Sequence, residues 1–320
     1  MRVLVRFCLV LSVLGVCAET GAAAYPDRTI RLVVPFPPGG PVDVVARIVA
    51  PKLGERLGQS VAVDNISGDD GITGSDLVAK APADGYTLLL ASSTHTIHPG
   101  TYGKLPFDTE KAFVPVSLLV ASQLLLVVNP SLPVDSVEEL IAFAKSHPGN
   151  LRYASGGLGG PTQLALELFK ITTGVDIVHT PYDGGKAALN AVAGNKAQVM
   201  LAPIIAALPM VHDGRLRAIA TSGAHNAPAA SELPTIAETL SGFTAIAWFG
   251  VLAPAGTPAA VIARLNAEFD RIVHEQSTKT EFAAIGGEPV GGSPAALAGL
   301  IHAEIPKWIR VTREAGIRVE

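Results

Sequence analysis

Apolar positions along the chain change their period repeatedly, and glycine and proline mark the breaks. Thr29 to Pro35 (TIRLVVP) is a short β-branched run, stopped by Pro35, Pro37, Pro38, Gly39 and Gly40. Val42 to Leu57 then carries apolar residues three and four apart, the spacing of one helix face. The predicted opening unit is therefore strand, tight loop, helix. It recurs with Ser60 to Asn65 as a strand, Gly74 to Ala81 as a helix and Tyr86 to Ala91 as a buried strand after the Asp84-Gly85 turn. Further on, Leu151 to Ala154, Asp176 to His179 and Gln198 to Leu201 read as strands, with Pro161 to Thr172 and Gly185 to Ala193 as the helices between them. This alternation predicts an α/β layout of largely parallel strands covered on both faces.

Two apolar stretches, Leu124 to Val128 and Ala245 to Leu252, bracket the second series and would carry the chain out of one domain and back. The expected organisation is a first domain over residues 25–125, an inserted second domain over 126–247, and a return to the first over 248–320. Two tail helices, Pro258 to Glu275 and Pro294 to Arg313, open at Thr257-Pro258 and Ser293-Pro294, a cap residue followed by proline at the first helical position. No internal repeat is evident. Residues 1–24 have the pattern of an export signal: Arg2 and Arg6, an apolar stretch over 7–18, then Ala22-Ala23-Ala24. The stretch is shorter than the ~20 residues of a membrane span. Leu14-Gly15-Val16-Cys17 leaves a lipid-anchored alternative, although Val16 fits such a site poorly. Export across a membrane is expected.

Charge and thiols narrow the chemistry. With 24 Lys+Arg against 28 Asp+Glu the net charge is −4, and no basic run is concentrated enough for nucleic acid to be a partner. Cys8 and Cys17, the only 2 cysteines, fall within the signal, leaving neither a disulfide framework nor a zinc-type cluster. His95 and His98 have a spacing that can share a metal on a helix, but no carboxylate lies near in sequence and the remaining histidines are scattered. Neither metal nor cofactor is expected. There is no G-x-S-x-G elbow, and no residue is assigned a catalytic role. The enzymatic alternative is a secreted serine hydrolase of α/β type, pairing Ser92 or Ser155 with His95 or His179.

The loop carrying Pro38, Gly39, Gly40 and Asp43 lies between a strand and a helix, where glycines let backbone N–H groups approach a ligand and the helix N-terminus favours negative charge. It suits a carboxylate or phosphate, without the P-loop lysine or the dinucleotide spacing. An ordinary turn, with Asp43 completing the helix start, is the plain alternative. Ser92, Ser93 and Thr94 follow the third strand, at the end where open α/β sheets face a crevice, although the same hydroxyls could cap a helix. Ser155, Gly156, Gly159 and Thr162 repeat the theme in the second series, so two such loops would confront each other across a cleft. Tyr182 and Trp248-Phe249 are candidate apolar walls, with core packing the plain alternative for Phe249.

The segments YPDRTIRLVVPFPPGG (Tyr25 to Gly40) with Asp43, ADGYTLL (Ala83 to Leu89), Tyr153-Ala154-Ser155-Gly156, His179-Thr180-Pro181-Tyr182, Pro234 to Glu238, Trp248-Phe249-Gly250 and Ala253 to Pro258 occur in this order. Together they cover most of the chain after residue 24, and it resembles the Bug-type periplasmic receptors of tripartite tricarboxylate transporters. The resemblance implies a type II periplasmic binding protein fold, a venus flytrap of two α/β domains joined by two crossing segments. It also implies a receptor and not an enzyme, holding a small organic carboxylate (a di- or tricarboxylate or an aromatic acid) for two membrane subunits; a monomer is expected. Such receptors hold the carboxylate through backbone amides and bridging waters, which transfers by resemblance to Pro38, Gly39, Gly40 and Asp43, to Ser92, Ser93 and Thr94, and to Ser155, Gly156, Gly159 and Thr162. The chain departs from the family pattern at Leu201-Ala202-Pro203, where many relatives carry an acidic residue and an amide. An aspartate there would pair with an ammonium, so its replacement points away from amino acids and toward a more apolar carboxylate, with Leu201 in the site.

Overall fold

The computed structural model describes residues 25–319, so the export signal and Cys17 lie outside the described residues. In chain order the strands are β1 (Ile30–Val34), β2 (Val61–Asn65), β3 (Thr87–Ser92), β4 (Phe113–Val128), β5 (Leu151–Ser155), β6 (Ile177–Pro181), β7 (Val199–Pro203), β8 (Arg217–Thr221), β9 (Ile246–Pro254) and β10 (Glu288–Pro289). The helices are α1 (Pro41–Leu57), α2 (Ile72–Ala79), α3 (Thr94–Thr101), α4 (Val137–Ser146), α5 (Pro161–Thr173), α6 (Gly185–Ala193), α7 (Ile204–His212), α8 (Ile236–Thr239), α9 (Ala259–His274), α10 (Gln276–Ala284) and α11 (Pro294–Glu314).

β1 pairs in parallel with β2 and β3, and β5 pairs in parallel with β6 and β7. Each triplet meets the crossing strands in antiparallel fashion: β3 against β9, and β7 against β4. Side chains alternate between two covered faces. Ile30, Leu32 and Val34 pack with Val45, Val49 and Leu53 of α1, while Val33 points to the other face with Leu297 and Ile301 of α11. Likewise Leu124, Leu126 and Val128 join Leu164 and Leu168 of α5, and Leu125 and Val127 join Leu189 and Val192 of α6. Strands buried on both faces need runs of apolar residues, which is what TIRLVVP and LLLVV supply.

β4 changes partners midway. Its register runs with β9 from Phe113↔Pro254 to Gln123↔Ile246, then with β7 from Leu124↔Pro203 to Val128↔Val199. Gln123 marks the change: its amide donates to the His225 carbonyl (2.9 Å) and to Glu288 Oε1 (3.1 Å), and accepts from Gly223 N (2.9 Å). The strand starts earlier than the Leu124 expected from hydrophobicity, because register shifts near Pro115 and Leu118 interrupt its alternation. Ser293 caps α11 as the Ser293-Pro294 pair predicts, accepting from Ala296 N at 3.2 Å, whereas Pro258 itself takes the cap position of α9.

α11 spans both sheets. Leu297 and Ile301 cover the first, and Trp308 and Val311 join α5 and Ile97 of α3 over the second. A buried polar knot holds the crossing point: Glu304 accepts from Trp308 Nε1 (2.5 Å) and from Lys307, and Lys307 Nζ also donates to the Thr244 carbonyl (3.2 Å).

Candidate functional site

The loops after β1 and β5 are built alike. Gly40 and Gly160 are the N-caps of α1 and α5 with φ/ψ of −77/168° and −80/164°, and each is followed by proline at the first helical position. The preceding glycines, Gly39 and Gly159, have φ of +82° and +71°, a region that favours glycine. Each also donates its N–H to a side chain four residues on: Gly39 to Asp43 Oδ2 (2.9 Å), Gly159 to Gln163 Oε1 (2.6 Å). Gly-Gly-Pro-x-Asp and Gly-Gly-Pro-x-Gln are thus a short internal repeat, which the sequence reading missed. Its result is that the amides of Gly40 and Gly160 stay without a hydrogen-bond partner among the described residues, each at the positive end of a helix.

Asp43 braces the first turn, its carboxylate engaged by partners within the chain. Its carboxylate, 2% exposed as a residue, also accepts from Arg47 Nε (2.8 Å) and Asn65 Nδ2 (3.0 Å). The Arg47 hydrogen bond, with those from Gly39 and Asn65, outweighs burial and holds its carboxyl down at about 2. Asn65 donates as well to the Phe36 carbonyl (3.0 Å), fixing the loop to the end of β2. From below, Gly74 of α2 packs so closely that a Cβ there would lie 2.6 Å from the Ile66 carbonyl oxygen and 2.9 Å from Pro35 Cα. Gly74→Ala is expected to cost about 1–3 kcal/mol of stability and to displace the root of the turn. Thermal unfolding checks it; a variant as stable as the parent would show that α2 shifts freely.

In the second turn, Ser155 is fully buried and its hydroxyl donates to the Gly157 carbonyl (2.9 Å), with His179 Nε2 at 2.7 Å. Gln163 Nε2 faces His179 Nδ1 at 3.2 Å, and Gly156 N donates to Thr162 Oγ1 at 3.2 Å. One tautomer satisfies this chain: Gln163 donates to Nδ1, Nε2–H donates to Ser155, and Ser155 donates to Gly157. A histidine donating through Nε2 cannot take a proton from the serine, and an amide, not a carboxylate, orients it. The Ser155–His179 pair is therefore a brace. Behind it, Tyr153 stacks on His179 (4.7 Å between centroids) and donates to buried Glu167, which also binds Lys170 at 2.9 Å.

Ser92 and Thr94 share a hydrogen bond of 2.8 Å, and Ser93 N donates to the Trp248 carbonyl (3.0 Å). Ser93 meets Pro161 and Ala165 of α5 across a cavity of about 10 Å³ beside Ala247, room for roughly one water. This cavity joins the loop after β3 to the start of α5. Trp248 and Leu201 are fully buried in core clusters, while Ile205, just beyond Leu201-Ala202-Pro203, is exposed. Tyr182 is half-buried, its N–H donating to the Ser155 carbonyl (3.0 Å). A wider concavity, about 850 Å³, lies elsewhere, along the outer flank of α1 from Arg47 to Val63.

His95 and His98 point to different surroundings, so the spacing does not unite them. His95 packs edge-on to Phe113 (5.2 Å) with Nε2 at 3.0 Å from the Thr109 carbonyl, and His98 turns toward Asp70 and Tyr102. Burial lowers His95 from 6.5 to about 4, and lowers His179 as well. Near neutral pH both are uncharged in the folded chain, and as pH falls the unfolded chain takes up protons first. Their stabilising contribution is complete above about 6.5 and is lost for His95 between 6.5 and about 4. Urea unfolding at stepped pH should show stability falling across that window, and a His95→Phe variant should show a shallower fall.

Residues 45–317 match the family described as tripartite tricarboxylate transporter family receptor (TctC). The chain is 37% identical over 322 residues to protein BugT of Bordetella pertussis, covering 100% of this chain and 99% of that protein. Among solved structures it is similar to R. palustris Rpa4515 with adipate, at 36% identity and a TM-score of 0.75, covering 92% of this chain and 100% of that one. MatC from Rhodopseudomonas palustris with bound malate is 31% identical with a TM-score of 0.70, over 90% of this chain and 99% of that one. A TctC solute binding protein from Polaromonas, solved with no ligand, is 25% identical with a TM-score of 0.84, over 91% of this chain and 99% of that one. Two α/β lobes linked by crossing strands give the type II venus-flytrap fold, and the chain belongs to the tripartite tricarboxylate transporter receptor family.

Proposed function

We propose that the chain is a periplasmic receptor that captures a small dicarboxylate between two lobes, residues 25–125 with 248–320 and residues 126–247, and presents it to the membrane subunits of a tripartite tricarboxylate transporter. The observation that carries this is the duplicated Gly-Gly-Pro turn, one per lobe, each leaving an amide free at a helix N-terminus. Two like anion cradles suit a ligand with a carboxylate at each end. The adipate- and malate-bound relatives support that class. The better superposition on the ligand-free relative, despite its lower identity, supports an open arrangement of the lobes.

Local hydrogen bonds must offset a net charge of −4, which opposes an approaching dianion. Hydrogen bonds to charged groups contribute about 1.5–3 kcal/mol each, so a few of them reach the roughly −8 kcal/mol of a micromolar ligand. Leu158 at the second turn and Ile205 after β7, 71% and 46% exposed, offer apolar contacts to the body of the acid. Ser92, Ser93, Thr94, Ser155, Gly156, Thr162 and Tyr182 would act by shaping the turns, and Trp248 and Leu201 by supporting them from the core. Native mass spectrometry of the purified protein, followed by calorimetric titration with succinate, adipate, citrate, glutamate, benzoate and terephthalate, tests the reading. A dicarboxylate without an ammonium group, succinate or adipate, should bind in the micromolar range; binding to glutamate alone, or to benzoate alone, would contradict it.

A further inference from the structure

On α3, Thr94, His98 and Thr101 lie at i, i+4 and i+7 and so share one face. Thr94 belongs to the Ser92–Thr94 loop, and Thr101 approaches the other turn, where a Cβ built on Gly159 would lie 3.8 Å from its Cγ2. His98 sits between them. It is only 3% exposed, yet neither ring nitrogen has a hydrogen-bond partner among the described residues. Burying an imidazole unsatisfied at both nitrogens forfeits its hydrogen bonds to water with nothing in return, a cost that calls for a role.

The group facing it is Asp70, whose Oδ2 lies 3.5 Å from His98 Nε2, too far for a good hydrogen bond. Asp70 belongs to the loop between β2 and α2, where it and Asp69 both take positive φ, +53° and +47°. Two consecutive non-glycine residues in that region are strained. The same loop reaches the first turn, since a Cβ on Gly71 would lie 3.0 Å from Phe36 Cζ. Tyr102 stands edge-on to the imidazole at 5.5 Å. A carboxylate on a strained, exposed arm thus covers an unsatisfied imidazole beside the anion cradle.

We infer that His98 is a ligand-binding residue that donates an N–H to a carboxylate of the bound acid, and that Asp70 stands in for that carboxylate until the ligand displaces it. The inference rests on the dicarboxylate reading above. Asp70 is an internal competitor: it is anionic like the ligand, poorly seated, and its side chain is 53% exposed, so it can swing away into water. Asp69, its neighbour, carries the same charge but accepts from Thr73 Oγ1 (3.0 Å) and does not touch His98.

Calorimetric titration with succinate and adipate tests this on the full mature chain. Asp70→Asn should raise affinity for the better-bound acid by about 3–10-fold, and His98→Asn should lower it by about 10-fold or more, the loss of one charge-assisted hydrogen bond. Asp69→Asn should change it by less than about twofold, and the Asp70→Asn gain should vanish in the His98→Asn background. An equal gain from Asp69→Asn would show a long-range charge effect and overturn the inference, as would no gain from Asp70→Asn. Should His98→Asn fail to fold, the two exposed aspartate variants still decide the matter. Failure of the parent protein to bind either acid would refute the dicarboxylate reading itself, whereas binding with unaltered variants refutes only the role of His98 and Asp70.

Discussion

Asp43→Ala is expected to weaken dicarboxylate binding by about 10²-fold, the usual scale of loss when a binding group is misplaced. The carboxylate holds the Gly39 amide, Arg47 and Asn65 at once, so its removal frees the first turn from both α1 and β2. Stability should fall too, by about 1.5–3 kcal/mol, since the hydrogen bonds of Gly39, Arg47 and Asn65 to a buried carboxylate are lost. The effect has a pH signature. Asp43 is lowered from 3.8 to about 2 in the folded chain, so its contribution is complete above the unfolded value and is lost as pH falls through about 2. Calorimetry and urea unfolding of the variant check both parts; unchanged affinity would show that the turn needs no brace.

Glu304→Ala is the largest expected loss of stability, about 3–5 kcal/mol, because it leaves a buried cation without its counter-charge. Lys307 has a side chain only 19% exposed, and burial already lowers its pKa against the opposing pull of Glu304. The indole N–H of Trp308 loses its acceptor at the same time. Because α11 contacts both sheets here, the damage should extend to the relative placement of the lobes. Glu304→Gln, which keeps an acceptor for Trp308 but not the charge, should fall between the two. Chemical denaturation of the pair against the parent measures the difference, and a Glu304→Ala variant within 1 kcal/mol of the parent would contradict the role of the knot.

How much of this was legible in the sequence depended on how the signal is encoded. The β1-α1-β2 and β5-α5-β6 units were readable because β-branched runs end at Gly-Pro clusters and the helices that follow keep their period. α3 and α7 were not, since Pro99 and Pro209 fall inside them and α7 is apolar on nearly every side. α4 was missed despite a good start signal, Ser136 accepting from Glu139 N at 3.1 Å. The glycine turns stood out because a strand-to-helix reversal at positive φ needs glycine. Which side chains brace them did not, since Gln163 and His179 acquire their roles only when β6 and α5 come together. The one available clue was the shared four-residue offset from Gly39 to Asp43 and from Gly159 to Gln163. Trp248 reads as a candidate wall and Leu201 enters the site through the resemblance; that both are fully buried was not readable, because a strand's period of two does not say which face is covered.

Hydrogen exchange of the intact chain, with and without the acid identified by titration, tests the central claim most directly. Exchange should slow together in the segments 35–43 and 155–163, which carry the free amides of Gly40 and Gly160. Protection confined to one of the two turns, or to neither, would contradict a ligand held by backbone from both lobes.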